Sequence, residues 1–281
     1  MNFKFYNDVS FKVSDLITKS YSTSFSLAIN VFDKELRDSI SSIYGYVRLA
    51  DEIVDSFHDF EKQNLLNELR EETYSAIRNG ISLNPIIQSF QTTVNKYDIS
   101  IDYINNFIDS MEMDLSNTYY DRENYDKYIY GSAEVVGLMC LKVFCYKEDE
   151  LFNSLIPSAK ALGSAFQKVN FLRDIKSDLD ERGRIYLPGA STSMEINNEN
   201  KLLLEEEIEK EFKEALSGIK RLPGSSRLGV YSAYLYYYML FKKIRSLKIN
   251  DLFKKRVRIS NFTKISLLAK SLIDTKVIKA I

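Results

Sequence analysis

Histidine and cysteine, the residues behind many catalytic triads and zinc sites, are scarce in this chain. Its 281 residues include one histidine, His58, and two cysteines, Cys140 and Cys145. A histidine-based triad, a zinc site and a disulfide framework are disfavoured, because no set of ligands has the required spacing. His58 stands at a predicted helix end and is expected on the surface. The cysteines fall in a predicted apolar helix, so we expect buried free thiols in a reducing cytoplasm.

Glycine and proline are also rare, with 10 and 4 residues respectively. Apolar residues make up 45% of the chain. They recur at spacings of three and four, as at Leu65, Leu66, Leu69 and Ile77, which is typical of helices. No low-complexity linker divides the chain. With so few helix breakers, the sequence predicts an all-α fold of about ten helices in a single domain, residues 1–281.

Long apolar runs are missing as well. The N-terminus has no apolar region like that of a signal peptide, and no stretch reaches the roughly 18 apolar residues of a membrane span. The net charge is -1, but twelve lysines and arginines fall in residues 242–281, opposed only by Asp251 and Asp274. This segment is either a solvated face or a site of peripheral contact with an anionic membrane on its cytoplasmic side. Nucleic-acid binding is not favoured, because no recognition motif accompanies the charge.

Two aspartate pairs are the most informative feature that is present. Asp51 and Asp55 form the first pair, and Asp174 and Asp178 form the second. A spacing of four residues is just over one helical turn, so each pair places two carboxylates on one helix face. Like charges at that spacing destabilise a helix, and apolar surroundings add to the cost unless a cation neutralises them. Mg²⁺ suits the pairs, because it accepts a few carboxylates and completes its octahedron with water and phosphate oxygens.

Each pair continues as a polar stripe along its helix. A single pair usually marks a solvated face, but here polar residues take positions where a buried helix would carry leucine or isoleucine. The stripes are Ser41, Tyr44, Arg48, Asp51 and Asp55 on the first helix, and Gly163, Gln167, Asn170, Asp174 and Asp178 on the second. Arg48 and Arg173 stand beside the two pairs. We therefore predict a cage for Mg²⁺ and diphosphate.

Local signals predict the bounds of the helices that carry these motifs. Asp33 is predicted to cap a helix that runs to about Asp55. A second helix is predicted over residues 123–144. Pro157 is predicted in the first turn of the helix that carries the second aspartate pair. Breaks are predicted at residues 117–121, 180–183, 197–200 and 218–229.

Several segments match the motifs of one known family. The most specific are residues 170–178 (NFLRDIKSD) and 180–188 (DERGRIYLP), and the others are residues 21–25 (YSTSF), 51–55 (DEIVD) and 128–137 (YIYGSAEVVG), with weaker matches at Tyr236 and residues 256–259 (RVRI). Over nearly its whole length the chain resembles the squalene/phytoene synthases. The resemblance implies the terpenoid synthase fold, with helices around a central substrate cavity, and the head-to-head joining of two prenyl diphosphates.

The resemblance also implies roles for particular residues. The ligands of Mg²⁺, or alternatively of Mn²⁺, would be Asp51, Asp55, Asn170, Asp174 and Asp178. Arg48, Arg173 and Arg256 would bind diphosphate. Ser22 and Ser24 would help to close a flap over it, and Gln167 would also contact the substrate. The site would be lined by Phe25, Tyr44, Tyr128 and Tyr236, whose ring faces favour a passing cation. Tyr128 is grouped with the four aspartates as catalytic, and core packing is the alternative for each ring.

Ser41 is predicted to influence substrate length. It lies one turn before Tyr44 on the first stripe, so we expect it to face the cavity below the metal site. A small side chain there would leave room for a long isoprenoid tail. The alternative is that Ser41 packs against a neighbouring helix.

Within the family, residues 169–175 (VNFLRDI) and 131–137 (GSAEVVG) look closer to bacterial phytoene synthases. We therefore expect two geranylgeranyl diphosphates to be joined through a cyclopropyl diphosphate intermediate to phytoene, without a nicotinamide cofactor. The alternative is dehydrosqualene or squalene from two farnesyl diphosphates. A non-catalytic family member would be expected to lose the aspartate pairs, and a cyclising terpene synthase typically carries a different second motif.

Overall fold

The computed structural model describes residues 2–187, 190, 192 and 195–278, except for the side chains of residues 276–278. Within these residues the chain forms α-helices, one π-helical segment and a single isolated bridge between Tyr119 and Ile185. The helices are α1 (Phe3–Tyr21), α2 (Thr23–Ile29), α3 (Lys34–Asp55), α4 (Lys62–Asn79), α5 (Pro85–Tyr97), α6 (Ile101–Ser116), α7 (Arg122–Ile129), α8 (Val135–Phe144), α9 (Asp149–Asp180), α10 (Asn198–Ile219), α11 (Gly224–Arg245), α12 (Ile249–Leu252) and α13 (Asn261–Ile278). The all-α prediction is confirmed. The helices exceed the expected ten because short ones, such as α2 and α12, have too few residues to show a periodicity.

The helix that carries the first aspartate pair begins and ends where the sequence predicts. The Asp33 carboxylate accepts a hydrogen bond from the backbone N–H of Leu36 at 2.9 Å and caps α3. The cap satisfies one of the free N–H groups at the helix start. Both aspartates therefore lie in the last turns of α3, where the helix dipole disfavours negative charge.

The prediction for Pro157 is wrong, because this residue lies inside α9, eight residues after the helix begins at Asp149. Asp149 and Glu150 occupy the first turn, where acidic side chains stabilise the positive end of the helix dipole. The predicted end near residues 180–183 is confirmed. Of the other breaks, 117–121 is confirmed, 197–200 contains the start of α10, and 218–229 shrinks to a connection between Ile219 and Gly224.

The predicted helix over residues 123–144 is one run of α7, the π-helical segment Tyr130–Glu134 and α8. It packs against α9 at very short range. A Cβ atom on Gly163 would lie 2.4 Å from the carbonyl oxygen of Ala133, and one on Gly137 would lie 2.7 Å from that of Ala159. Only glycine permits such an approach of two backbones. The same glycines line the central cavity, so they serve both close packing and open space.

Helices α3, α9 and α11 all line this cavity. Early residues of α3, α9 and α11 line its apolar end, and later residues of the same helices line its polar end. No helix in the described part of the chain is long and apolar enough to cross a bilayer.

Candidate active site

A cavity of about 670 Å³ lies between the helices, with one apolar end and one polar mouth. Phe32 and Phe144 close the apolar end, with ring centroids 5.6 Å apart. Small side chains and glycines leave the space between the two ends open. Most of the residues that the sequence predicted meet on its wall: Ser22, Phe25, Tyr44, Arg48, Asp51, Asp55, Tyr128, Gln167, Asn170, Arg173, Asp174, Asp178 and Arg256.

The first aspartate pair lies at the mouth, on the last turns of α3. Burial, and then the neighbouring carboxylate of Asp55, raise the pKa of Asp51 to about 7. Arg48 stands beside the pair, with its guanidinium 3.8 Å from the Asp51 carboxylate and 4.3 Å from the centroid of the Tyr21 ring. Its Nε is buried and has no hydrogen-bond partner among the described residues. Arg48 therefore retains a donor that points to no protein acceptor.

The second pair lies opposite, near the end of α9. Asp174 accepts hydrogen bonds from Arg173 at 3.0 Å and pairs with Arg256 at 2.7 Å. Burial, and then the charge of Asp174, raise the pKa of Asp178 to about 7. As at the first pair, two carboxylates that share a partly dry site each disfavour the charge of the other.

One arginine joins the two pairs. The Arg182 Nε lies 3.1 Å from a carboxylate oxygen of Asp55, and its Nη1 donates to Asp178 at 3.0 Å. Because one guanidinium reaches both, the carboxylates of α3 and α9 face each other across the mouth. Arg184 donates a further hydrogen bond to Asp55 at 2.8 Å. Both arginines belong to the segment 180–188 that the sequence singled out, but the sequence analysis assigned them no role. Pro188, at the end of that segment, lies outside the described residues.

A buried carboxylate, Asp114, was also missed. It accepts hydrogen bonds from the phenols of Tyr120, Tyr128 and Tyr186 at 2.7–2.8 Å, and Arg184 lies 3.7 Å away. Burial raises its pKa despite these partners. The sequence contained a signal for this residue, because Asp114 is a carboxylate on the apolar face of α6, three residues after buried Met111. Tyr128 is thereby held on the cavity wall, as predicted.

Aromatic rings line the cavity below the carboxylates. The Phe25 ring lies 5.6 Å from that of Tyr44 and 6.5 Å from that of Phe166. Burial raises the pKa of Tyr44 to about 12, so this phenol is neutral. Phe166 stacks on Tyr237 at 3.9 Å, and the Tyr237 hydroxyl donates to Asn170 at 3.3 Å. Neither Phe166 nor Tyr237 was predicted.

Three predicted residues do not line the cavity. Tyr237 lines the cavity and Tyr236 does not, because the side chains of adjacent residues on a helix point about 100° apart. Ser24 lies in α2 but off the wall, while Ser22 caps that helix and reaches the cavity. Ser41 is fully buried yet absent from the wall, which is formed by Ile40, Ile43 and Tyr44 of the same helix. The packing alternative for Ser41 therefore holds, and the prediction that it faces the substrate is wrong.

The described residues contain no cluster of three or more histidine, cysteine or acidic side chains close enough to form a ready metal site. The donor set nonetheless suits Mg²⁺, since it consists of oxygen ligands on two facing helices. Burial and like charge raise the pKa of Asp51 and Asp178, and a divalent cation beside them would lower both pKa values again by stabilising the carboxylates. The cation between the pairs in this structure is the Arg182 guanidinium. A metal ion bound by Asp55 and Asp178 would compete with this guanidinium for the same oxygens.

Comparison with known proteins places this site in a family. The family model described as squalene/phytoene synthase matches residues 18–263. The chain belongs to the squalene/phytoene synthase family.

Individual relatives agree with this assignment. Phytoene synthase 1, chloroplastic, from Solanum lycopersicum is 28% identical over 92% of this chain and 67% of its own length. Phytoene synthase 2, chloroplastic, from the same plant is 26% identical over 92% of this chain and 90% of its own length.

Solved structures show the shared terpenoid synthase fold. A dehydrosqualene synthase in complex with a ligand superposes with a TM-score of 0.84 at 22% identity, covering 98% of this chain and 99% of that one. Squalene synthase HpnC from Alicyclobacillus acidocaldarius superposes with a TM-score of 0.73 at 22% identity, covering 85% of this chain and 94% of that one.

Proposed function

We propose that this protein joins two geranylgeranyl diphosphates head to head to form phytoene. The observation that carries the proposal is the placement of both aspartate pairs, with arginines beside them, at the mouth of one apolar cavity. The curated relatives named phytoene synthase favour the forty-carbon product. Production of dehydrosqualene or squalene from two farnesyl diphosphates is the second candidate, favoured by the close superposition on a dehydrosqualene synthase.

The polar mouth would bind the diphosphates. Asp51, Asp55, Asn170, Asp174 and Asp178 would hold Mg²⁺, or alternatively Mn²⁺, which supplies Lewis-acid neutralisation of the phosphate oxygens. The unpaired Nε of Arg48 offers a donor to the same oxygens, as would the planar guanidinium groups of Arg173 and Arg256.

The apolar walls would protect the carbocation. One substrate loses diphosphate to give an allylic cation, which attacks the double bond of the second. Loss of a proton from the resulting cation closes the ring and yields a cyclopropyl diphosphate. A second loss of diphosphate, rearrangement and loss of a proton give the linear hydrocarbon, so no nicotinamide cofactor is needed. Phe25, Tyr44 and Phe166 would exclude water and present ring faces to the cation.

The remaining parts of the proposal concern the protein as a whole. We treat residues 1–281 as one catalytic domain that works in the cytoplasm with peripheral contact to an anionic membrane. The alternative of a non-catalytic family member is disfavoured because both aspartate pairs are retained and face each other.

The purified protein should release diphosphate and form hydrocarbon from geranylgeranyl diphosphate only when Mg²⁺ is present. The kcat/KM for this substrate should exceed that for farnesyl diphosphate. Asp180→Asn, which changes an exposed carboxylate on the same helix, is the matched control for Asp174→Asn. A higher kcat/KM with farnesyl diphosphate would favour the second candidate, and no turnover with either would contradict both.

A further inference from the structure

Helix α13 carries exposed apolar residues on its outward side. Its buried residues include Ser271, which is 0% exposed and shares a hydrogen bond of 2.7 Å with Ser232 of α11. Asp274 on the same side accepts a hydrogen bond from Tyr231 at 2.9 Å. An ordinary surface helix buries its apolar face and exposes its polar one. In α13 these polar contacts and the buried side chain of Leu267 attach the helix to the protein, and a second set of apolar residues remains on its outward side.

The outward residues form a continuous stripe, which we call the α13 stripe: Phe262, Ile265, Leu272 and Ile273, exposed by 81%, 62%, 44% and 64%. At 100° per residue they fall within an arc of about 100° on the helix. Scattered exposed apolar residues are normal, but an aligned set marks an interaction surface.

The segment of the chain that contains the α13 stripe is rich in positive charge. Residues 252–273 contain six lysines and arginines and no acidic residue. Among the described residues, no carboxylate forms an ion pair with Lys255, Arg258 or Lys264. A second copy of the chain is a poor occupant, because a symmetric contact would bring the same cations together. An anionic lipid surface complements both features, since it accepts apolar side chains and attracts the cations around them.

Helix α13 contacts α2, a helix that lines the substrate cavity. Lys264 donates a hydrogen bond of 2.8 Å to Thr23, the first residue of α2. The other side of α2 lines the cavity through Phe25, Ala28 and Ile29. Lys264 lies on the side of α13 away from the α13 stripe, so a bilayer on the stripe would be separated from α2 only by the thickness of α13. This matters if the product is a water-insoluble hydrocarbon, a premise that rests on the proposed function.

We propose that the α13 stripe is the surface through which this protein binds anionic membranes. Phe262 and Ile265 insert among the lipids, and Lys255 and Arg258 contact their anionic head groups. Binding brings α2, and the substrate cavity behind it, to within one helix diameter, roughly 10 Å, of the membrane surface.

Flotation with lipid vesicles tests this proposal. The full chain should float with vesicles of equal parts phosphatidylcholine and phosphatidylglycerol, and much less with phosphatidylcholine alone. The double variant Phe262→Ser/Ile265→Ser should bind the anionic vesicles at least about tenfold more weakly, because burial of each side chain in lipid is lost. The matched control Ile81→Ser/Leu83→Ser alters two residues of the α4–α5 connection that are 49% and 91% exposed, and it should bind like the wild type.

A charge variant keeps the test decisive if the serine variant folds poorly. Lys255→Glu/Arg258→Glu should remove the preference for anionic vesicles while leaving α13 intact. The proposal is overturned if the wild type binds neither vesicle, or if the folded stripe variants bind as the wild type does. Conversion of a wild-type dimer to a monomer by the serine variant, without vesicle binding, would instead identify a second copy as the occupant. Since no substrate is present, failure of the proposed catalysis would leave this result unchanged.

Discussion

Replacing Arg182 with glutamine removes the cation that joins the two aspartate pairs. In the wild type this guanidinium contacts Asp55 at 3.1 Å and Asp178 at 3.0 Å. Without it, carboxylates on facing helices repel each other in a partly dry site. We therefore expect Arg182→Gln to destabilise the metal-free protein and to favour Mg²⁺ binding, since the cation no longer competes for the same oxygens.

The expected loss of stability in Arg182→Gln follows from how deeply the two ion pairs are buried. Breaking a fully buried ion pair costs about 3–5 kcal/mol, and an exposed pair contributes about 0–1 kcal/mol. The side chains of Arg182, Asp55 and Asp178 are 27%, 20% and 13% exposed, which lies between those limits. We expect a loss of about 1–3 kcal/mol, or roughly 2–4 °C in Tm for each kcal/mol in a chain of this size.

Thermal unfolding with and without Mg²⁺ measures both effects. Mg²⁺ should raise the Tm of Arg182→Gln by more than that of the wild type, because ligand binding to the folded state alone adds stability. Arg122 is the matched control, since it also joins two carboxylates, Asp126 and Glu207, but lies away from the cavity. Equal Mg²⁺ shifts in the wild type and Arg182→Gln, or an equal rescue of Arg122→Gln, would refute the assignment of the cage.

Three further predictions concern single residues of α3 and α9. Asp51→Asn and Asp174→Asn should each abolish turnover while leaving helical content unchanged in circular dichroism; full activity in either would contradict the metal assignment. Arg48→Lys keeps the charge but loses the planar fork, so kcat/KM should fall about tenfold, equivalent to about 1.4 kcal/mol. An unchanged value would mean that Arg48 does not bind diphosphate. Ser41→Phe should lower the free energy of unfolding by about 1–3 kcal/mol through overpacking, without changing product length. A stable variant with a shorter product would show that position 41 borders the substrate after all.

Much of the site could be predicted because its signal is local. A spacing of four residues is enough to put Asp51 and Asp55 on one helix face, and Asp33 marks the start of that helix within a few residues. The same holds for Asp174 and Asp178, although Pro157 misled the prediction of where α9 begins. Local patterns of this kind can be recognised without knowledge of the tertiary structure.

The rest depends on contacts between distant segments. The contact between Arg182 and Asp178 follows the i, i+4 spacing of a helix, but the contact between Arg182 and Asp55 joins distant segments, and no spacing in the sequence reveals it. Asp114 lies 72 residues from its hydrogen-bond partner Tyr186. Ser41 was misplaced for a related reason, since a stripe on a helix does not tell which part of it faces the cavity and which part faces another helix.

The composition of the hydrocarbon product tests the central claim most directly. Purified protein would be incubated with Mg²⁺ and an equimolar mixture of geranylgeranyl and farnesyl diphosphates, and the extracted hydrocarbons would be separated by mass. We expect a forty-carbon product whose mass matches phytoene as the main component, and no hydrocarbon from Asp51→Asn. A predominantly thirty-carbon product would contradict the choice of substrate, and the absence of any head-to-head hydrocarbon would contradict the proposed reaction itself.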